Sequence, residues 1–386
     1  MFTSNILFKT FKQKKKIPNL NKKLFSLLKN KNEVLKSLSK NYKDSFDKKL
    51  LHKYKKDRDF RIIGMGGSTL GAQTIYEFLN EKIKKNFSFI DNIKVKKKIN
   101  PKKKINLIIS KSGNTIETII NTSLFLNKKD KNIFITENKK SYLNLLAKKL
   151  KSDIIHHNNF IGGRYSVLSE VGMLPAELMG LNPDKFRCLN NLVNNKNFLN
   201  ALISNVNSTI YFAKNRKFNS VIINYDHKSE SLFDWYQQLI AESLGKKKKG
   251  ILPIVSNMPK DNHSVMQLYL DGFNNNFFTF FYVKEKNSIK IDGNKLLLSE
   301  QYLKNKSLDS IIYAQKKATE NVFIKKKIPF RSFEIKKRDE KSLGELFCFF
   351  ILETILLGKA LNLNPYDQPA VELIKIETKK LLTWVI

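Results

Sequence analysis

Between Arg61 and Thr118 the chain twice runs from a short apolar segment, through a turn of small residues, into helical spacing. Arg61-Ile62-Ile63 breaks at Gly64-Met65-Gly66-Gly67-Ser68, after which Leu70, Ile75, Phe78 and Leu79 recur at helical intervals. Ile105-Asn106-Leu107-Ile108-Ile109 ends in Ser110-Lys111-Ser112-Gly113-Asn114-Thr115, and residues 116–125 restore helical spacing. Two parallel strands that each deliver such a turn onto a helix N-terminus gather backbone N–H groups and hydroxyls on one sheet edge. Helix dipoles and unpaired amides there suit phosphate. The first turn is not the GxxxxGK[ST] loop of nucleotide binders, and GxGGS alone is a weak motif. The second turn is richer in hydroxyls than a simple turn needs.

The alternation continues along the chain. Ile133–Ile135 and Ile154-Ile155 read as strands around a helix at 141–150, and a turn-rich insert covers 158–172. A helical stretch opens at Asn182-Pro183-Asp184 and runs through Leu202. Further strands are predicted at 220–225, 251–255, 277–283 and 333–335, with helices at 232–244, 263–271, 307–320, 343–361 and 366–382. Strands separated by helical patterns of this length indicate parallel sheets with right-handed crossovers. The expected fold is α/β, with two doubly wound parallel-sheet lobes flanked by helices and helical segments at both ends. The expected boundaries are a basic helical segment at 1–45 on the outside of the first lobe, lobes at 46–185 and 186–362, and a C-terminal helix at 363–386 returning to the cleft. No exact internal repeat is visible.

Composition excludes more than it assigns. At 386 residues the chain can bury two cores, and no apolar run approaches a membrane helix. The first thirty residues carry no secretory signal, and lysine rather than arginine speaks against a transit peptide. Cys188 and Cys348 cannot make a disulfide framework and suit a reducing cytoplasm. The net charge of +37 proposes nucleic acid or an anionic substrate. It is almost all lysine, however, and bidentate phosphate and base contacts favour arginine. The runs Lys102–Lys104, Lys246–Lys249 and Lys325–Lys327 lie between periodic segments and read as solvated loops, so no specific nucleic-acid partner is expected.

Four other segments carry chemistry. Gly162-Gly163-Arg164 places a guanidinium where backbone can approach an oxyanion closely. Gln238 and Glu242 lie one helical turn apart and share a face, as do Gln368 and Lys375 at two turns. His263 follows a strand at an element boundary and suits proton transfer near neutrality. Taken singly, each has a plain reading as surface or packing. The histidines and cysteines show no metal-ligand spacing.

In this order, over roughly residues 60–380, these segments resemble the glucose-6-phosphate isomerase (phosphoglucose isomerase) family. The Ser110–Thr118 loop alone would mark the wider class of SIS-type sugar-isomerase lobes. Gly162-Gly163-Arg164-Tyr165-Ser166 and Asp367-Gln368 through Val371-Glu372 to Lys375 select the isomerase. The resemblance implies reversible isomerisation of glucose 6-phosphate and fructose 6-phosphate without cofactor or metal. It implies that Ser110, Ser112 and Thr115 hold the phosphate, with Lys111, Gly67 and Ser68 adjacent. His263 and Lys375 would assist ring opening, and Glu242 would move the proton between C2 and C1. Arg164 would stabilise the cis-enediolate, while Gln238 and Gln368 place hydroxyls. A cytoplasmic homodimer, with the histidine reaching the neighbouring subunit, goes with the family. The alternatives are an isomerase that also accepts mannose 6-phosphate and a non-catalytic sugar-phosphate binder. Glu170, where the family usually has a small residue, Pro369 after Asp367-Gln368, the short chain, and the Lys246–Lys249 run depart from the pattern.

Overall fold

The computed structural model describes residues 2–11, 16–30, 32–93, 103–127 and 129–384; Lys102 of the first lysine run lies outside them. Among the described residues ten strands build two five-stranded sheets: β1 (Ile6–Lys9), β2 (Asp59–Ile63), β3 (Asn86–Ile90), β4 (Ile105–Ile109), β5 (Lys131–Thr136), β6 (Asp153–His156), β7 (Asn219–Asn224), β8 (Leu252–Asn257), β9 (Asn276–Val283) and β10 (Phe330–Ile335). The first sheet has the order β3-β2-β4-β5-β6 and is parallel throughout. The second has the order β1-β10-β9-β7-β8 and is parallel except where β1 runs against β10. Every residue of β4 and of β9 is buried, as a parallel sheet covered on both faces requires. Two doubly wound lobes are thus present.

The strand order reverses between β2 and β4 in one sheet and between β7 and β9 in the other. In open α/β sheets the crevice outside the carboxyl ends at that point is where ligands bind. The helices Glu230–Leu244 and Glu340–Ala360 pack on each other beside the second sheet, and the first of them also packs on Leu70–Phe78 of the first lobe. The Glu340–Ala360 helix is buried from Ser342 to Gly358 and forms the central pillar of the molecule.

The amino-terminal segment departs from expectation. Ile6–Lys9 is a strand that closes the edge of the second sheet, with Phe8 opposite Phe333 and Phe2 packed on Phe198 and Phe349. Helix Leu20–Lys29 packs on Lys196–Lys214 and Glu340–Ala360, so this part of the segment covers the second lobe and not the first. The apolar run Ile6-Leu7-Phe8 is a short strand signal that the nearby lysines obscure. β3 was not anticipated either, because Asn86-Phe87-Ser88-Phe89 alternates too briefly between polar neighbours. The helical stretch after Asn182 is broken into Pro183–Phe186 and Leu189–Leu192 before Lys196–Lys214, where the Asn195 side chain accepts from the Phe198 N–H and starts the helix afresh.

Candidate active site

The loop after β2 and the loop after β4 meet at the reversal point of the first sheet. In the first, Gly66 has φ +53°, and a Cβ there would stand 2.6 Å from Gln238 Nε2. A Cβ on Gly67 would lie 2.2 Å from the Gly163 carbonyl carbon and oxygen and 2.6 Å from Arg164 N. The glycine turn therefore exists to let the Gly162-Gly163-Arg164 backbone lie directly on it. Ser68 is half-buried in the same turn, its N–H bonded to Met65 O at 3.1 Å.

In the second loop Ser110 Oγ and Thr115 Oγ1 are 2.8 Å apart, and Ser110 Oγ accepts from the Gly113 N–H at 3.2 Å. Gly113 has φ +67° and presses on Ser141, where a side chain would collide. The Ser112 hydroxyl accepts from the Asn114 N–H at 3.2 Å. Helix Ile116–Phe125 begins behind Thr115, whose side chain does not cap it, so its first amides face the loop uncapped. Lys111 turns back to donate to Asn159 O at 2.8 Å and lies 3.6 Å from Glu137. Burial pushes the Lys111 ammonium pKa down, against the attraction of Glu137.

Arg164 is the hub. It is 1% exposed, and its guanidinium donates from Nε to Ser243 Oγ at 2.8 Å and from Nη2 to the carbonyls of Pro365 (2.8 Å) and Asp367 (3.1 Å). Nη1 donates to Glu242 Oε2 at 3.1 Å and to Gln368 Oε1. Gln238 Nε2 donates to the other Glu242 oxygen at 2.8 Å, as the one-turn spacing on helix Glu230–Leu244 allows. The Glu242 side chain is still 28% exposed and opens on a cavity of about 580 Å³ that Lys246, Asp367 and Gln368 also line. A partly exposed carboxylate, fixed by an amide and a guanidinium and facing a cavity of small-molecule size, can take up and return a proton at a bound carbon.

Glu242, Arg164, Gln238 and Gln368 are thus brought together, with Gly67 beneath them. Ser68, Ser110, Lys111, Ser112 and Thr115 stand in the two loops beside this cluster, whereas His263 and Lys375 belong to neither. His263 ends the 3-10 turn Lys260–His263 beyond β8 and is exposed. Lys375 sits on the exposed helix Pro369–Trp384, its side chain 58% exposed and its ammonium paired with Glu372 at 2.6 Å. Within one chain the C-terminal segment meets the cluster through Gln368, just before this helix.

Several residues that shape the site were not singled out from the sequence. Ser243 bridges Arg164 and the Tyr165 hydroxyl (2.9 Å), and Trp235 Nε1 donates to Arg164 O at 3.0 Å. The lysine run after helix Glu230–Leu244 is a tight turn, with Lys247 and Lys248 both at positive φ and Lys246 bridged to Lys249. Lys246 donates to Asn364 O and pairs with Asp367 Oδ1 at 2.7 Å, while Lys249 donates to Leu361 O at 3.1 Å. The hydrogen bond from Lys246 is the main cause holding the Asp367 carboxyl below its ordinary range. The run clamps the turn that presents Gln368 and does not crowd the helix. Adjacency to Glu242 in sequence was the only available signal for Ser243 and Lys246. Among the described residues no group of His, Cys, Asp and Glu has the arrangement of a metal site, and no helix is long and apolar enough to cross a membrane.

Known proteins resemble this chain in sequence and in fold. A glucose-6-phosphate isomerase of Methanocaldococcus jannaschii is 34% identical over 357 residues, covering 86% of each chain. One from Campylobacter jejuni is 30% identical over 83% of this chain and 84% of its own. The fold is shared with a hypothetical protein from Thermus thermophilus (TM-score 0.82, 23% identity, 95% of both chains). It is shared also with a glucose-6-phosphate isomerase from Chlamydia trachomatis (TM-score 0.72, 15% identity, 95% and 84% covered). Residues 23–384 match the phosphoglucose isomerase family model, and the chain belongs to that family.

Proposed function

We propose that this chain interconverts glucose 6-phosphate and fructose 6-phosphate, the reaction of its family, with Glu242 as the base that moves the proton. Ser110, Ser112, Thr115 and the uncapped amides of helix Ile116–Phe125 hold the phosphate, with Lys111, Gly67 and Ser68 beside it. His263 and Lys375 assist ring opening by proton transfer at the ring oxygen. In the open-chain aldose Glu242 removes the proton from C2, and the C1 carbonyl electrons become the enediolate oxygen. Arg164 balances that charge, Gln238 and Gln368 fix the hydroxyls, and Glu242 returns the proton to C1 while the C2 hydroxyl proton passes to the C1 oxygen, leaving the C2 oxygen as the ketone. No redox partner enters, because the oxidation at C2 is matched by the reduction at C1.

The observation that carries this reading is the Glu242 carboxylate itself, pinned by Gln238 and Arg164 yet open to the cavity. A non-catalytic sugar-phosphate binder would have no use for that arrangement. The exposure of His263 fits a homodimer in which each histidine completes the neighbouring site, and the cytoplasm is the compartment that suits a glycolytic enzyme. The test is NADP-linked detection of glucose 6-phosphate formed from fructose 6-phosphate. Glu242→Gln should lower kcat by roughly 10²–10⁴-fold while fructose 6-phosphate still binds. Unchanged turnover in the variant would remove Glu242 as the base.

A further inference from the structure

Glu170 is not a small residue because it has a partner. It is 1% exposed, and its Oε1 lies 2.6 Å from Nδ1 of His157, itself 3% exposed. The same oxygen accepts from the Asn158 N–H at 2.8 Å, and Oε2 accepts from the Tyr42 hydroxyl at 2.9 Å. Nε2 of His157 lies 3.0 Å from the carbonyl oxygen of Ile161, which can only accept. Burial acts to raise the Glu170 carboxyl pKa, but the hydrogen bond and charge of His157 and the Asn158 amide hold it below its ordinary value. A carboxylate on one nitrogen and a carbonyl on the other are both served by N–H donors only when the imidazole is doubly protonated and positively charged.

We propose that His157 and Glu170 form a buried ion pair that acts as a positioning device for the Gly162–Arg164 turn. The pair closes the loop after β6 at two points: Asn158 N–H is tied to Glu170, and Ile161 O is tied to the His157 ring. Between them Asn159 O receives Lys111 from the hydroxyl-rich loop, and three residues beyond Ile161 stands Arg164. One charged ring therefore sets the backbone on which both the Lys111 contact and the Arg164 hub depend. Losing a proton leaves a single N–H, which can serve Glu170 or Ile161 but not both. The charged and titratable groups around the pair are the Tyr42 hydroxyl, the Asp44–Arg187 ion pair behind it (2.7 Å, with Arg187 over the Tyr42 ring), and Glu33, which receives the Asn158 amide at 2.9 Å.

The inference rests on Arg164 acting in the isomerisation. Its test is the pH dependence of kcat and KM for fructose 6-phosphate in the native chain, His157→Gln, Glu170→Gln and the double variant, with thermal unfolding alongside. Each single variant should lose on the order of tenfold or more in kcat, as small misplacements of catalytic groups do, with KM within about threefold. The double variant should be no worse than the poorer single one. Histidine nitrogen NMR of the native chain, which needs no variant to fold, should show one ring doubly protonated under the conditions in which the chain turns over. A neutral His157 ring there, or single variants that melt earlier yet keep the native kcat and pH profile, would overturn the proposal. No turnover by the native chain would instead remove the functional reading, and this inference with it.

Discussion

Gly67→Ala isolates the contact on which the site is assembled. The added methyl would stand 2.2 Å from the Gly163 carbonyl carbon and oxygen and 2.6 Å from Arg164 N. Carbon atoms in packed interiors sit about 3.5 Å or more apart, so the two loops must separate by about 1 Å. Neither side can yield cheaply, because both are backbone. The Gly67 turn is tied by Ser68 N–H to Met65 O (3.1 Å) and Thr69 N–H to Gly66 O (2.9 Å). The opposite turn is tied by Tyr165 N–H to Gly162 O (2.9 Å) and Ser166 Oγ to Gly163 O (2.7 Å). Overpacking of this kind costs about 1–3 kcal/mol of stability. The catalytic loss should be larger, since an ångström of displacement reaches Arg164 directly and costs on the order of 10²-fold in rate. Gly162→Ala is the control: its Cβ would meet only Tyr165 Cδ2, at 3.8 Å, and its φ of −69° suits any residue. In the fructose 6-phosphate assay Gly67→Ala should lose about a hundredfold in kcat with a melting point a few degrees lower, and Gly162→Ala should stay within about twofold. Equal kcat in both variants would refute the claim that the glycine turn positions Arg164.

Two further outcomes are expected. If His263 serves the partner's site, separately inactive His263→Ala and Glu242→Gln chains should regain activity when unfolded together and refolded as a mixture, because a mixed dimer carries one intact site; no recovery would place both residues in one subunit's site. Lys316→Met should lower stability at pH 7 by about 3 kcal/mol, since Lys316 is wholly buried against Glu320 (2.8 Å) and Glu334 (2.5 Å). Both carboxyls are held below their ordinary value of 4.5: burial pulls the other way, and the lysines outweigh it. Groups lowered in this way stabilise the fold above that value, and their contribution fades as pH falls through the lowered ones. Melting curves of native and variant chains should therefore converge on acidification below about pH 4.5, whereas a constant gap would show that the pair is not the source of the difference.

The strand-turn-helix order of the first lobe was legible because buried parallel strands are continuous apolar runs and their turns are glycine and hydroxyl residues. The same signal carried Glu242 and Gln238, which one helix turn brings to one face whatever the tertiary fold. What could not be read were contacts that join distant segments. Nothing local in Gly67 says that Gly163 lies on it, nor in Lys246 that it grips Asp367. His157 was not singled out and Glu170 was read only as a departure from the family pattern, since neither carries a local sign of its partner. His263 and Lys375 were marked by the family resemblance, and a single chain gives neither of them a place beside Glu242.

The two sheets answer a question that neither sequence nor family similarity poses, namely why two lobes with the same strand order would offer one phosphate site. Disregarding β1, the second lobe repeats the order of the first, so its crevice lies beyond β7 and β9. That crevice is filled by Arg338, which reaches Asp226 just after β7 (2.7 and 3.2 Å) and Glu285 just after β9. Its guanidinium stacks 4.8 Å from the Phe78 ring of the first lobe, and Lys228 joins Glu285 to Glu81 across the same boundary. Where the first lobe leaves hydroxyls and uncapped amides open to an anion, the second supplies its own carboxylates and neutralises them with its own guanidinium. The position that would bind ligand holds the lobes together instead, which fixes helix Glu230–Leu244 of one lobe, and hence Glu242, against the loops of the other.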